Sequence, residues 1–354
     1  MHPARLAAKI QGQVELFSGK VSRGLTKPAA RMVREVLVGI QARGSVRLSE
    51  IGRALGEPTA LKKVIERLGR HLKRREVREV VQERLLELGA AKVGEETLVV
   101  VDPTDISKPH ARKMEHLARV RDASTGELTP GYSCVEVVAV EPGSAEVVPL
   151  YQSLYSTRAG DFVSENDEVL KATRAVLKAT EGRGVVVIDR GGDRRRLLEP
   201  LVEGGGSFVI RMRGDRHVRH GRAKRSVEEV ASGCRAPYRP TMVKEDGAEE
   251  KVYHLRSGGA TVRLPGLSRR LTFMVVWGFG KQPVIMLTDL PRGSRKRAWR
   301  IVGVAEFRFY AIADGIKDVL YGRSRAPTAP ESPLHHPILP SFAPVPKKVG
   351  RVHA

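Results

Sequence analysis

The chain has few of the residues that build a disulfide framework, a structural zinc site or a membrane anchor. Its 354 residues include only two cysteines, Cys134 and Cys234, and their wide separation excludes the usual spacings of cystine frameworks and zinc sites. No apolar run approaches the ~18 residues that a membrane-spanning helix requires. The N-terminus also lacks the apolar segment of a secretory signal. We therefore expect a cytoplasmic protein that does not associate with membranes.

Aromatic and acidic residues are also scarce. Aromatic residues make up 5% of the chain, so its core must consist mainly of aliphatic side chains. Lysine and arginine number 62 against 40 acidic residues, which gives a formal net charge of +22. An excess of this size is typical of proteins that bind nucleic acid. The alternative is a basic and merely very soluble protein.

Residues 1–93 are predicted to form a helical DNA-binding region. Gly56–Pro58 marks a turn between two helices, with Ser49 as the expected cap of the first. The second helix is basic and includes Lys62, Lys63 and Arg67, so the pair could lie against a DNA groove. An ordinary helical bundle with a solvated basic face explains the pattern equally well. Apolar residues recur at helical spacing through 30–40, 48–55, 61–72 and 77–88.

The pattern changes to an α/β order in residues 94–214. Three β-branched runs are followed by a helix with Ser164 as its N-cap, then by a strand, a second helix and a fifth strand. This order predicts a mixed sheet covered by helices. Residues 215–290 are turn-rich with short strand candidates, which predicts a β-rich insertion. Residues 291–322 are basic and helical in pattern, and the proline-rich residues 323–354 are predicted to be disordered.

Two aspartates end hydrophobic strands of the predicted sheet. Asp102 follows the run 98–101, and Asp189 follows the run 185–188. A strand end delivers a side chain rigidly to the edge of the sheet, where it either caps a turn or builds a site. Two carboxylates supply the hard oxygen ligands that Mg²⁺ or Mn²⁺ prefers. In a basic chain, the pair predicts metal-dependent phosphodiester chemistry, in a nuclease or a strand-transfer enzyme.

Several motifs add a resemblance to a known family. The segments VVVDPTDISKPHARK, VVPLYQSLYS and VVVIDRGGDRRRLL resemble bacterial insertion-sequence transposases of the IS-four type, over about residues 97–213. The resemblance implies a ribonuclease-H-like catalytic core, an N-terminal DNA-binding region and a β-rich insertion before the last catalytic helix. It also implies that Asp102 and Asp189 are the first two of three catalytic, metal-binding acids. Family members act as dimers on the ends of the element and on target DNA.

The family's third acid is a glutamate within a Tyr-x2-Arg-x3-Glu-x6-Lys pattern on that last helix. Glu306 is the candidate here, but Trp299, Val302 and Ala313 stand where the pattern has tyrosine, arginine and lysine. The helix region at 291–322 is therefore degenerate, as in a truncated or frameshifted reading frame. An inactive remnant that only binds DNA is the alternative to an active transposase, and a stand-alone ribonuclease-H-like nuclease is a further one.

Four further basic residues are candidates for phosphate contacts because they lie near the two aspartates in sequence. They are Lys108, Lys113, Arg190 and Arg194. Asp105 and Asp193 also lie near the pair and could either accept hydrogen bonds that support it or cap turns, of which the cap is favoured.

Overall fold

The computed structural model of the chain describes residues 3–122, 125–142, 146–239, 241–246, 249–290 and 352–353. Contacts divide these residues into two compact units, one ending at Leu88 and one beginning at Gly89. No helix within the described ranges is long and apolar enough to cross a membrane. The predicted last catalytic helix at 291–322 lies outside the described residues, as does the predicted tail except for 352–353.

The first unit is helical, as the apolar spacing predicts. The bounds of the third and fourth helices agree with the predicted ones, whereas the first helix was not predicted. The helices are α1 Pro3–Val21, α2 Lys27–Arg43, α3 Leu48–Leu55, α4 Leu61–Leu72 and α5 Arg75–Ala90.

Helices α2, α3 and α4 enclose the core of this unit, with Met32, Ile51 and Leu68 almost fully buried. Helices α2 and α3 approach closely because position 39 is glycine: a Cβ there would lie 2.6 Å from Ile51 Cγ2. The predicted cap at Ser49 is wrong. Helix α3 begins one residue earlier, at Leu48, so Ser49 lies within its first turn, and the N-cap position makes no side-chain cap.

The second unit contains the predicted α/β pattern. Its helices are α6 Glu165–Ala179, the 3₁₀ helix η1 Arg190–Gly192, α7 Arg195–Glu203 and α8 Val227–Ser232. Its strands are β1 Leu98–Ser107, β2 Ala118–Arg121, β3 Leu128–Val140, β4 Val147–Tyr155, β5 Val185–Ile188, β6 Ser207–Arg211, β7 His217–His220, β8 Ala223–Ser226, β9 Thr241–Asp246, β10 Glu249–His254, β11 Arg256–Val262, β12 Leu271–Trp277, β13 Val284–Thr288 and β14 Val352–His353.

A mixed sheet of nine described strands forms the body of this unit. Its order is β11-β12-β13-β6-β5-β1-β3-β2, and β4 also pairs with β3. Strands β1, β5 and β6 are parallel, and the other pairs in this sheet are antiparallel. The series β4-β3-β1-β5-β6 has the ribonuclease-H-like arrangement, which confirms the predicted fold class. The predicted insertion at 215–290 adds three strands, β11 to β13, to the same sheet.

Local sequence explains why the central strand β5 and the flanking helices α6 and α7 form where they do. All four residues of β5 are buried, as expected for an interior parallel strand of continuous β-branched residues. Helix α6 is N-capped by Ser164, whose side chain accepts a hydrogen bond from the Asp167 amide, and acidic residues occupy its first turn. This cap confirms the predicted one. Buried apolar faces of α6 and α7 complete the core.

Candidate active site

Asp102 and Asp189 lie side by side where the parallel pairing of β1 with β5 ends. The prediction that Asp102 ends its strand is wrong, because β1 continues to Ser107 in its pairing with β3. In the register of β1 with β5, Val101 is paired with Ile188, so the two aspartates are the next residues on neighbouring strands. Such strands are ~4.8 Å apart. The backbone is still extended at Asp189, with φ −70° and ψ −168°. Strand alternation therefore directs both carboxylates to the same face of the sheet.

The turn after β5 fixes the Asp189 carboxylate. Its Oδ1 accepts a hydrogen bond of 2.7 Å from the Gly191 amide, so Asp189 caps η1. The turn needs glycine at position 192, because a Cβ there would lie 2.4 Å from Ile188 Cγ2. The glycine pair of the motif thus lets the chain fold back tightly against the strand that carries Asp189.

Glu136 is a third carboxylate in this part of the sheet and was not predicted from sequence. It lies directly opposite Asp102 in the antiparallel register of β1 with β3 and is 6% exposed. Gln152 Nε2 donates a hydrogen bond of 2.6 Å to Glu136 Oε1. Like charges in directly opposed positions destabilise a sheet, which favours a cation nearby. A charged residue in the apolar run 134–140 was the signal that could have revealed it.

The buried thiol of Cys134 lies in the negative field of these groups. Burial raises its pKa to about 12, and the charges of Glu136 and Asp102 add to that rise. The carboxylates therefore create a region of negative potential in a chain of high positive charge.

The carboxylates of Asp105 and Asp193 accept hydrogen bonds from other segments rather than capping their own turns, so the favoured interpretation is wrong for both side chains. Asp105 lies within β1, where it accepts hydrogen bonds from Ser133 Oγ (2.8 Å) and the Arg121 amide (3.1 Å). Asp193 accepts one of 2.7 Å from the Arg213 amide and forms an ion pair with Arg216. Both carboxylates join segments that are distant in sequence, which neighbouring residues do not reveal.

The basic candidates near the two aspartates differ in how much charge they present. Lys108 and Lys113 are exposed in the loop that follows β1, and Arg190 is exposed on η1 beside Asp189. Arg194 is exposed as well, but its guanidinium lies 2.6 Å from a Glu165 carboxylate oxygen. Its positive charge is therefore partly neutralised within the chain.

In the first unit, Lys62 and Lys63 are exposed on α4. Arg67 on the same helix is held by two carboxylates, at 2.5 Å from Glu35 and 2.6 Å from Glu57. Its guanidinium connects α4 to α2 and to the turn after α3. Arg67 therefore stabilises the helical unit and presents less charge to a phosphate than the two lysines do.

Glu306, the predicted third ligand, lies outside the described residues. Among the residues that the structure does describe, no three carboxylate, imidazole or thiol groups converge in a metal-binding arrangement. Asp102 and Asp189, with Glu136 opposite the first, are the carboxylates at this edge.

No protein-family model matches the chain, and no curated protein matches it. Among solved structures, it is similar to a piggyBac transposase in a synaptic complex with hairpin DNA. The TM-score is 0.40 and the sequence identity 12%, over 80% of this chain and 57% of that one. A similarity this distant does not establish a family.

Proposed function

We propose that this chain is a DNA transposase of the IS-four type, which cleaves DNA at the ends of an insertion sequence and joins them to target DNA. The observation that carries the proposal is the alignment of Asp102 and Asp189, which directly follow the last paired residues of the parallel strands β1 and β5. Both lie on a ribonuclease-H-like sheet in a chain of net charge +22. Paired carboxylates and a basic surface are what metal-dependent phosphodiester cleavage requires.

The donor set at this edge fits magnesium or manganese. Asp102 and Asp189 would hold the ion through carboxylate oxygens, and hard oxygen ligands are those that both ions accept. The opposed pair Asp102 and Glu136 creates a charge repulsion that a divalent cation relieves. We propose Glu306 as the third ligand, from the resemblance to the family.

Bound magnesium supplies activation of the attacking water or 3′-hydroxyl and neutralisation of charge on the leaving oxygen. The protein's residues orient the groups around it. The Gly191 amide fixes the Asp189 carboxylate through its hydrogen bond. Arg190, exposed beside Asp189, would contact a phosphate of the strand being cut. No covalent protein intermediate is required, because each step transfers a phosphoryl group directly between oxygens.

DNA is the proposed partner, as insertion-sequence ends and as target, and two copies of the chain would pair the ends. Exposed Lys62 and Lys63 on α4 are proposed to contact DNA from the first unit. Lys108 and Lys113 would do so from the loop after β1. Each of these contacts is predicted to weaken as salt concentration rises, because phosphate binding releases counterions.

The test is cleavage of a labelled linear DNA that carries the ends of the element, with Mg²⁺ or Mn²⁺. Nicking at the element boundary should be abolished in Asp189→Asn, which keeps the acceptor for the Gly191 amide but removes a charge. Asp105→Asn, three residues after Asp102 on β1, is the matched control and should still nick. Binding of DNA without metal-dependent nicking by the wild-type protein would refute the catalytic proposal. It would favour an inactive remnant, consistent with the substituted positions around Glu306.

A further inference from the structure

The segment that follows β6 carries the densest positive charge among the described residues of the second unit. It forms the hairpin β7–β8, which turns at Gly221 and Arg222. Asp215 is the single acidic residue between positions 211 and 225. The basic residues of the same span are Arg211, Arg213, Arg216, Arg219, Arg222, Lys224 and Arg225.

Three positively charged residues lie in one row across neighbouring strands of this region. Arg219 of β7 is directly opposite Lys224 of β8 and, on its other side, directly opposite Arg263, which follows β11. The Arg219 and Arg263 backbones exchange hydrogen bonds of 2.8 and 2.9 Å. Directly opposed residues of antiparallel strands project to the same face, so the three side chains share it. Like charges in such positions cost stability unless an anion lies between them.

Among the residues that the structure describes, the neighbouring carboxylates do not neutralise this row. A cavity of about 380 Å³ beside it is lined by Lys224 and by three acidic residues, Asp193, Glu199 and Asp215. Each of these acids already forms an ion pair with an arginine, namely Arg216, Arg195 and Arg213 respectively. Arg219 and Lys224 are exposed, and Arg263 is half-buried. Arg263 Nε donates a hydrogen bond of 3.1 Å to the Ser268 carbonyl, which orients its guanidinium without neutralising it. The row therefore keeps a surplus of positive charge.

The hairpin is also attached to the edge of the sheet that carries the two aspartates. Ile188 of β5 is paired in parallel with Ile210 of β6, so β6 ends level with Asp189. The loop that then leads to β7 is fixed to the turn after β5 by Asp193. Its carboxylate binds the Arg213 amide and the Arg216 guanidinium, and Arg216 Nη2 donates to the Asp193 carbonyl at 2.8 Å. The basic hairpin thus starts beside the candidate active site.

We propose that Arg219, Lys224 and Arg263 form a phosphate-binding row that holds the DNA backbone beside the Asp102–Asp189 edge. The inference rests on the proposed function and adds the surface that positions the substrate. We assign the row to phosphate contacts, which position the DNA but carry no information about base sequence. Its partner is the sugar–phosphate backbone of DNA of any sequence.

The test compares DNA binding by the wild-type protein and by the triple variant Arg219→Gln, Lys224→Gln and Arg263→Gln. Affinity for a short fluorescent duplex of arbitrary sequence is measured by anisotropy in EDTA over a series of salt concentrations. Loss of three phosphate contacts should weaken binding about tenfold or more near 0.1 M salt and lower the slope of log K against log salt by about 2.7. Replacing both arginines by lysine keeps the charge and should retain most of the affinity.

The matched control removes three positive charges from the exposed face of α6, through Lys171→Gln, Arg174→Gln and Lys178→Gln. The control should keep the wild-type slope. Equal slopes for the two triple variants would overturn the phosphate-binding row, as would a low affinity in the lysine variant. If nicking by the wild type still depended on Asp189 in that case, the proposed function would stand without the row. A wild type that binds no DNA would overturn both.

Discussion

The ion pair between Asp193 and Arg216 offers a quantitative test of how the structure fixes the loop after β6. The Asp193 side chain is fully buried, and that of Arg216 is 22% exposed. We consider Asp193→Asn, which keeps an oxygen to accept the hydrogen bond from the Arg213 amide but removes the negative charge. The Arg216 guanidinium then keeps only its hydrogen bond to the Asp193 carbonyl.

The expected loss of stability depends on which hydrogen bonds the asparagine at position 193 keeps. Removing one partner of a buried pair outright costs ~3–5 kcal/mol, because it leaves a buried charge alone. Asparagine preserves an acceptor, so the loss is closer to that of one hydrogen bond between charged groups, ~1.5–3 kcal/mol. Burial raises the pKa of Asp193 and so disfavours its charged form, which reduces the net stabilisation. We expect a loss of about 2 kcal/mol in the free energy of unfolding of the second unit.

The assay is urea unfolding followed by the fluorescence of Trp277 on β12, in a Trp299→Phe background. A double-mutant cycle with Arg216→Gln should give a coupling energy of about 1–2 kcal/mol. The matched control is the exposed pair of Arg213 and Asp215, with side chains 60% and 71% exposed, in the same loop. Its cycle should give less than ~0.5 kcal/mol. Equal coupling in the two cycles would refute the structural role assigned to Asp193.

Three further predictions concern the two units separately. Glu35→Gln removes a nearly buried carboxylate that pairs with Arg31 on α2 and with Arg67 on α4, and it should destabilise the first unit by ~1.5–3 kcal/mol in urea unfolding. Glu50→Gln, in an exposed pair, should cost less than ~0.5 kcal/mol. Because the pKa of Cys134 is raised to about 12, its thiol should resist alkylation in the native protein up to mildly alkaline pH, while that of Cys234 reacts. Equal alkylation rates for the two cysteines would contradict this prediction. Burial and neighbouring arginines lower the pKa of His71 below 6.5, so its contribution to stability is present above that pH and lost as the pH falls. His71→Gln should therefore flatten the acid side of a profile of melting temperature against pH. An unchanged profile would contradict this role of His71.

The elements that follow from periodicity could be predicted from sequence. Strand β5 and helix α6 carry strong local signals, a continuous β-branched run and a capped amphipathic pattern. Strand β2 was missed because it has only four residues, two of them arginines, and lies in a charged stretch. Pairing of β13 with β6 was not predictable, since it joins residues more than 70 positions apart.

Side-chain roles were less predictable than elements. Asp102 and Asp189 could be recognised as neighbours because hydrophobic runs precede both, whereas the continuation of β1 to Ser107 was not predicted. Glu136 was missed because its significance depends on the register of β1 with β3. Arg67 carries a charge suited to phosphate, but only the packing of α2 on α4 reveals that Glu35 holds it. The sequence shows which chemical group is present at each position, whereas the tertiary structure determines which other group it contacts.

The central claim is that Asp102 and Asp189 together bind a divalent metal ion. Binding of Mn²⁺, followed by electron paramagnetic resonance of the free ion, tests it without DNA or an intact element end. Asp102→Asn and Asp189→Asn should each lose most of the high-affinity binding, because each removes one carboxylate of the same site. Asp105→Asn should keep it, because its carboxylate is engaged with Ser133 and Arg121. Undiminished Mn²⁺ binding in both Asp102→Asn and Asp189→Asn would contradict the account.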